Sequence, residues 1–453
     1  MNILTELSHI SPELILLIGA CATMMVRLFA RCPQVAAYHA AQVTCLLSLI
    51  AVLSLGLNVD SGPVFSGLLE IDGLAIFMKG FMLVGLIAIF SYGRAYVAHS
   101  LATVGEYYIL ALFALLGMFV SVSSVNLLMV FLGLEVMSLP IYALVALWRE
   151  EERCVEAGLK YFITGAIATC FLLYGMSLLF GATASLAFVD IKAYLTTHVL
   201  QHDWLMLAAV VFLTCGFAFK LGVVPFHMWV PDVYDGAPTP VTLLIATLPK
   251  LTVFIVLLRL FAFALAPMAL VWSKIMLGFA LLSIAVGNIM ALSQTQMKRL
   301  LAYSSVAHMG YLLLAISLHS QAGYSAALFY MLVYTLASGV MFAILMAYQF
   351  KQNALDAIDS LQGLAQYAPM AGFFAVVALF SMAGVPPILG FIAKMWVFNL
   401  LVQANWLSVA IYAVLFTLLG AFYYIKVVQA LYFQAPDKSY HRCIGNNLSL
   451  IHI

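Results

Sequence analysis

Read for its alternation of apolar and polar positions, the chain is a succession of apolar runs parted by short polar breaks. Each run is about as long as the ~20 residues a helix needs to cross a bilayer. The breaks predict about thirteen transmembrane spans, at 11–29, 35–57, 73–92, 106–122, 125–148, 158–181, 204–229, 239–264, 270–292, 299–318, 322–349, 370–403 and 407–433. The expected fold is therefore an all-α polytopic membrane protein. The first apolar run, from Leu14, passes straight into further spans and is expected to be a retained helix, not a cleaved signal.

Two of these runs are overlong and interrupted. Gly222-Val223-Val224-Pro225 breaks the seventh, and Gly384-Val385-Pro386-Pro387 breaks the twelfth. Glycine and proline end a helix there, and non-helical backbone at membrane depth is tolerated only against protein or a polar cavity. Each broken run also holds a lysine, Lys220 before the first break and Lys394 after the second. An offset of five spans gives two copies opposite orientations, which is the inverted-repeat plan of secondary transporters. The expected organisation is an N-terminal three-helix segment (1–104), one five-helix repeat (105–265, helices four to eight), a second (266–434, helices nine to thirteen) and a short tail (435–453). Helices seven and twelve are expected to be discontinuous.

Composition narrows the class. The chain is 65% hydrophobic and only 8% charged, against roughly a quarter charged in soluble domains. A net charge of +1 offers no basic nucleic-acid surface. The seven cysteines are scattered without a C-x-x-C pair, so no iron–sulfur, zinc or haem spacing exists, and there is no G-x-G-x-x-G nucleotide fingerprint. Redox chemistry in this chain alone is not expected. Eleven Lys and Arg residues in the connections fall on one side of the predicted spans, with Lys192 and Lys274 on the other. By the positive-inside rule the N-terminus then faces away from the cytoplasm, the periplasmic side in a bacterium.

The candidate chemistry lies in ionisable groups within apolar sequence. Lys220 is about sixteen residues into its span, and Lys250 about nine residues past Val241, or ~14 Å along a helix. A lysine stem reaches only ~6 Å, so neither ammonium easily reaches the membrane surface. Lys394 precedes Trp396 and is the third such lysine. Glu135 is the one carboxylate expected well inside a span, positioned to pair with a lysine or to take up a proton. His227 and His308 are candidates either to relay protons or to pack through hydrogen bonds. Lys160, four residues after Glu156, reads as half of a solvated helix pair. Lys79 and Lys426 are expected to snorkel to span ends, and Arg259 to anchor at the interface.

Moving one charge through the membrane potential takes about 2.3 kcal/mol per 100 mV, within reach of the interactions between neighbouring buried charges. Proton translocation without a cofactor in this chain is thus physically reasonable. The bland alternative is a scaffold whose buried lysines are merely paired.

Specific motifs then point to a family. Glu135 in Leu-Gly-Leu-Glu, Lys220 in Phe-Lys-Leu-Gly-Val-Val-Pro-Phe-His, Pro231-Asp232-Val233-Tyr234 with Gly236-Ala237-Pro238, Lys250, Lys298-Arg299-Leu300-Leu301-Ala302-Tyr303-Ser304-Ser305 and Gly390-Phe391-Ile392-Ala393-Lys394 resemble the antiporter-like subunits of complex I, the bacterial proton-pumping NADH–quinone oxidoreductase. The resemblance runs to about residue 435. It implies a multi-pass subunit of the bacterial inner membrane that translocates protons. NADH, flavin, iron–sulfur clusters and quinone would be handled by partner subunits of the complex. It implies a channel carboxylate at Glu135, a broken-helix lysine at Lys220, a central lysine at Lys250 and an exit-side lysine at Lys394, with Lys160, His227 and His308 at further family positions. Related antiporter-like subunits carry glutamate where this chain has Lys394, which favours complex I over a multi-subunit Na⁺/H⁺ antiporter or a membrane-bound hydrogenase. Such bacterial chains usually add a fourteenth span; here Cys443–Ile453 is too short to cross, and a truncated or frameshifted end is expected.

Overall fold

The protein was analysed as a computed structural model, which describes residues 3–57, 62–100, 104–198, 204–349 and 357–434. The expected tail (435–453) lies outside the described residues. Among those described, twelve helices are long and apolar enough to cross a membrane, from Ser11–Phe29 to Leu407–Phe433. The predicted run at 370–403 is broken where expected, into Pro369–Ala383 and Leu389–Gln403. Gly384 adopts a left-handed φ of 85° and caps the first of the pair, and the prolines that follow supply no N–H to continue it. The seventh run breaks in the same manner. Trp204–Leu221 stops at Gly222, whose φ is 74°, and a short helix, Trp229–Gly236, resumes beyond.

Two helices form the centre. Thr239–Ala264 is 94% buried over its apolar stretch and Met297–Ser317 is fully buried, whereas Ser11–Phe29 and Leu407–Phe433 are each only 28% buried. A helix that is apolar all round and enclosed by protein is a core element, and those with exposed leucines and phenylalanines present them to lipid. The central helix continues past Leu257 into a wider π-helical stretch, Leu258–Ala264.

One device occurs twice. Asn126, just before Leu127–Val145, forms an isolated antiparallel bridge with Ala187, and Gln296, just before Met297–Ser317, forms one with Ala357. The two bridges join residues equally far apart in sequence. Counted from its bridge, Glu135 in the first half occupies the register that Ser305 occupies in the second.

One expectation from the sequence requires correction. Lys79 does not snorkel: it is 1% exposed and ion-paired to Glu13 at 2.5 Å. Glu13, in the first turn of Ser11–Phe29, is thus a buried carboxylate at 6% exposed, while Glu135 keeps its place well inside a span. Arg259, expected as an interfacial anchor, is held by protein groups. Its guanidinium donates to Asp72 at 2.5 Å and to the Val122 carbonyl at 2.7 Å, tying the central helix to the hairpin Gly62–Val64/Leu69–Ile71 and to the helix Val104–Ser123. In each case the partner is remote in sequence, so hydropathy alone could not reveal it. Lys426 is exposed, in keeping with its position near a span end.

Candidate functional site

Lys220 occupies the last turn of Trp204–Leu221, and the break behind it is held open from outside. The Val224 N–H, which has no helical acceptor, donates to Ser283 Oγ on the helix Ala269–Leu292 at 2.9 Å. The Trp229 indole donates to the Phe219 carbonyl at 3.0 Å. The first contact supplies a partner for a backbone group the break would otherwise orphan, and the second adds to a carbonyl that already accepts from the Gly222 N–H at 2.9 Å.

The Lys220 ammonium donates to Ser138 Oγ at 2.9 Å, lies 3.5 Å from the Tyr142 hydroxyl and stands 3.8 Å from Glu135. Glu135 also accepts from Thr169 at 2.7 Å and keeps 22% of its side chain exposed. The contact is therefore an ion pair at the limit of its range, with each charge also bonded to a hydroxyl of its own and one member partly exposed. From this group an aromatic series extends inward: Tyr142 meets Tyr161 edge-on at 4.7 Å, and Tyr161 stacks on Trp229 at 4.6 Å.

Lys250 follows Pro249 within the unbroken central helix and is 2% exposed. It donates to Ser305 Oγ at 2.7 Å and lies 5.4 Å from the centre of the Tyr234 ring. A charge at the centre of a bilayer costs about 2.5–3.5 kcal/mol on insertion scales. A hydrogen bond to a charged group returns about 1.5–3 kcal/mol, so Ser305 and the ring offset much of that cost.

From Ser305 the polar series continues along one helix. Its neighbour Ser304 meets the Tyr424 hydroxyl in a short hydrogen bond. Tyr424 in turn lies 3.1 Å from Nε2 of His308, whose Nδ1 lies 2.7 Å from the Tyr330 hydroxyl. His308 and Lys394 both line one narrow cavity with Tyr330 and Tyr334. Lys394 reaches back across the second break and donates to the Met382 and Ala383 carbonyls at 2.8 and 3.0 Å, the end of Pro369–Ala383. Helix C-terminal carbonyls carry partial negative charge, so this cation is held by a helix end and not by a carboxylate.

The structure thus places Lys250 on Ser305, His308 in a hydroxyl series with Ser304, Tyr424 and Tyr330, Lys394 on the same cavity as His308, and Lys220 with Glu135 in a separate group. Two predicted residues lie apart. Lys160 is half-exposed in an ion-pair cluster with Glu156 at 2.8 Å and Asp232 at 3.0 Å, where Arg299 also meets Asp232 and Asp235. His227 lies in the first break with Nδ1 buried and unpartnered, its ring 6.5 Å from that of Tyr303. Sequence reasoning missed Ser138, Thr169, Ser305, Tyr330 and Tyr424. A signal for part of this existed: Ser304 and His308, spaced i,i+4, put two polar groups on one face of an otherwise apolar helix.

Comparison with known proteins completes the site. Residues 124–420 match the family model "NADH:quinone oxidoreductase/Mrp antiporter, TM". NADH-quinone oxidoreductase subunit N of Coxiella burnetii is 40% identical over 439 residues, covering 95% of this chain and 91% of that one. The subunit N of Thioalkalivibrio sulfidiphilus is 41% identical over 429 residues, covering 94% and 89%. Among solved structures, a chain of respiratory complex I from Thermus thermophilus superposes with a TM-score of 0.79 at 32% identity, covering 94% of this chain and 91% of that one. A chain of the Mrp complex from Dietzia sp. superposes at 0.84 but with 20% identity, covering 95% and 81%, and shares the fold.

Proposed function

This chain belongs to the NADH:quinone oxidoreductase/Mrp antiporter membrane family, and from that premise we propose that it is the subunit N-type proton-translocating membrane subunit of a bacterial NADH–quinone oxidoreductase. It assembles with the other subunits of that complex in the inner membrane. NADH oxidation and quinone reduction, with their flavin and iron–sulfur groups, belong to partner subunits. The relatives at about 40% identity over nearly the whole chain are complex I subunits, which favours this reading over an Na⁺/H⁺ antiporter or hydrogenase subunit.

The observation that carries the proposal is the placing of three lysines, at 220, 250 and 394, each under 10% exposed and none held by a close carboxylate that would fix its proton. Lys220 shares its charge with the more distant Glu135, so protonating or neutralising either changes the hold on the other. Lys250 exchanges protons through Ser305, and the hydroxyls of Ser304, Tyr424 and Tyr330 with the His308 imidazole carry them toward the Lys394 cavity. Glu135, Lys220, Lys250 and Lys394 are the translocating residues, with His308 in the wire and Lys160 and His227 at its margins. The recurring bridge supports two repeats, 105–265 and 266–434, behind a three-helix segment, 1–104; the offset of five spans supports their opposite orientation, and the lysine and arginine asymmetry a periplasmic N-terminus. The decisive experiment uses the assembled complex carrying Lys220→Met or Lys250→Met. NADH-driven proton translocation in inverted vesicles should collapse in both. Full pumping with both lysines removed would leave only a scaffold.

A further inference from the structure

Lys250 and Lys394 are both enclosed, yet the hydrogen bonds between them leave a gap. Ser305 holds Lys250, while Ser304 opens the series through Tyr424 to His308. Neighbouring residues of a helix project about 100° apart, and among the described residues no hydrogen bond joins these two serines. His308 does not close the gap, because both its ring nitrogens are engaged, Nδ1 by Tyr330 and Nε2 by Tyr424. The Ser305 hydroxyl has a proton to give. Ser121 and Ser283 donate theirs to the carbonyl four residues back in their own helices. Ser305 accepts from Lys250 and, among the described residues, donates to no carbonyl.

Tyr334 stands at that point. It lies on Gln321–Gln349, is 4% exposed, and its side chain interacts with those of Ser305 and Ser338. Its ring centre is 5.2 Å from that of His308. It also lines the cavity of about 10 Å³ shared by Lys394, His308, Tyr330 and Ser381. That space is about one water in size, and its lining offers the two to four polar partners a water needs. Lys394 borders it with capacity to spare, since an ammonium has three N–H groups and the Met382 and Ala383 carbonyls take two.

We propose that Tyr334 is a proton-carrying residue that links Ser305 to Lys394 through one water in this cavity. A proton leaves Lys250 for Ser305 Oγ as the Ser305 proton passes to the Tyr334 oxygen. The Tyr334 proton passes to the water, which gives one of its own to a neutral Lys394. Lys250 ends neutral, Lys394 ends as an ammonium, and every hydroxyl is whole again. Tyr234 also interacts with Ser305, but its hydroxyl is buried without a hydrogen-bond partner and it does not line the cavity. The transfer is therefore directed to Tyr334. This link rests on the proton-translocating function proposed above and gives it a route from Lys250 that does not pass through the imidazole.

The test uses the assembled complex in inverted vesicles, with each variant scaled to its content of complex by NADH oxidation with ferricyanide. Tyr334→Phe keeps the ring against His308 and removes only the hydroxyl. NADH-driven proton translocation per complex should fall about tenfold, as for Ser305→Ala. The double variant should be no slower than the slower single, because both residues lie on one route. Losses that multiply would mark two independent effects and overturn the proposal. Wild-type translocation in Tyr334→Phe also overturns it; if Lys250→Met abolishes translocation in the same assay, the function proposed above stands without this link. Full translocation in Lys250→Met overturns both. Should Tyr334→Phe not assemble, Ala337→Val decides, since it narrows the cavity from its lining without removing a polar group. It should cost a similar factor, and wild-type translocation there overturns the proposal.

Discussion

Lys250 rests on the Ser305 hydroxyl at 2.7 Å, and no carboxylate among the described residues lies within ion-pair distance of it. Lys220, by contrast, has Glu135 at 3.8 Å. One lysine is balanced by charge and the other only by dipoles. Ser305→Ala removes the one strong hydrogen bond from the second, a loss of about 1.5 kcal/mol or more, or roughly tenfold. NADH-driven proton translocation should fall by about that factor, with Ser305→Thr restoring most of it, measured as proton uptake by inverted vesicles.

Glu135 and Lys220 are unequal partners. Lys220→Met leaves a carboxylate that is partly exposed and still bonded to Thr169. Glu135→Gln leaves a buried ammonium supported by hydroxyls. The full 3–5 kcal/mol of a broken buried pair is discounted for the exposure of Glu135 and the long separation, to about 1–2 kcal/mol. Thermal unfolding of the assembled complex should show the larger loss for Glu135→Gln, while the proton yield per NADH falls in both variants.

The Lys79–Glu13 pair has almost no solvent to screen it. Lys79→Met strands a carboxylate in the interior and should destabilise the first three helices by about 3–5 kcal/mol, seen as reduced incorporation of the chain into the complex. Replacing both residues with leucine should recover most of the yield, since an apolar pair of similar volume needs no compensation.

Ser283 serves the first break from a neighbouring helix. Ser283→Ala leaves the Val224 N–H buried and unmatched, a cost of about 1–3 kcal/mol. Hydrogen–deuterium exchange at the 222–226 backbone should accelerate by tenfold or more, while peptides from Met297–Ser317 keep their protection.

Much of this architecture is legible in the sequence because bilayer thickness imposes a length on each apolar run and glycine–proline breaks punctuate two of them. Lys220, Lys250 and Lys394 stood out because their ammonium groups are deep in such runs, and the structure encloses all three. What the sequence hid is pairing between distant segments. Nothing local distinguishes Lys79, buried against Glu13, from Lys426, which is exposed; both simply lie near span ends. Ser305 and Tyr424 are neutral and common in membrane helices, so their place beside Lys250 and His308 becomes visible only when helices far apart in sequence are packed together. Lys160 reads the same at both levels, because an i,i+4 pair is a local feature.

The clamp at Arg259 limits how the machine can move. Nine residues beyond Lys250, or about 14 Å along the axis, the central helix is fastened to Asp72 and to the Val122 carbonyl, and protein surrounds nearly its whole length. A rod bolted at one end and sleeved throughout makes a poor piston. In the proposed proton path, charge passing Lys250 would therefore travel by rotation of side chains and rearrangement of water, while the helix itself serves as the fixed rail.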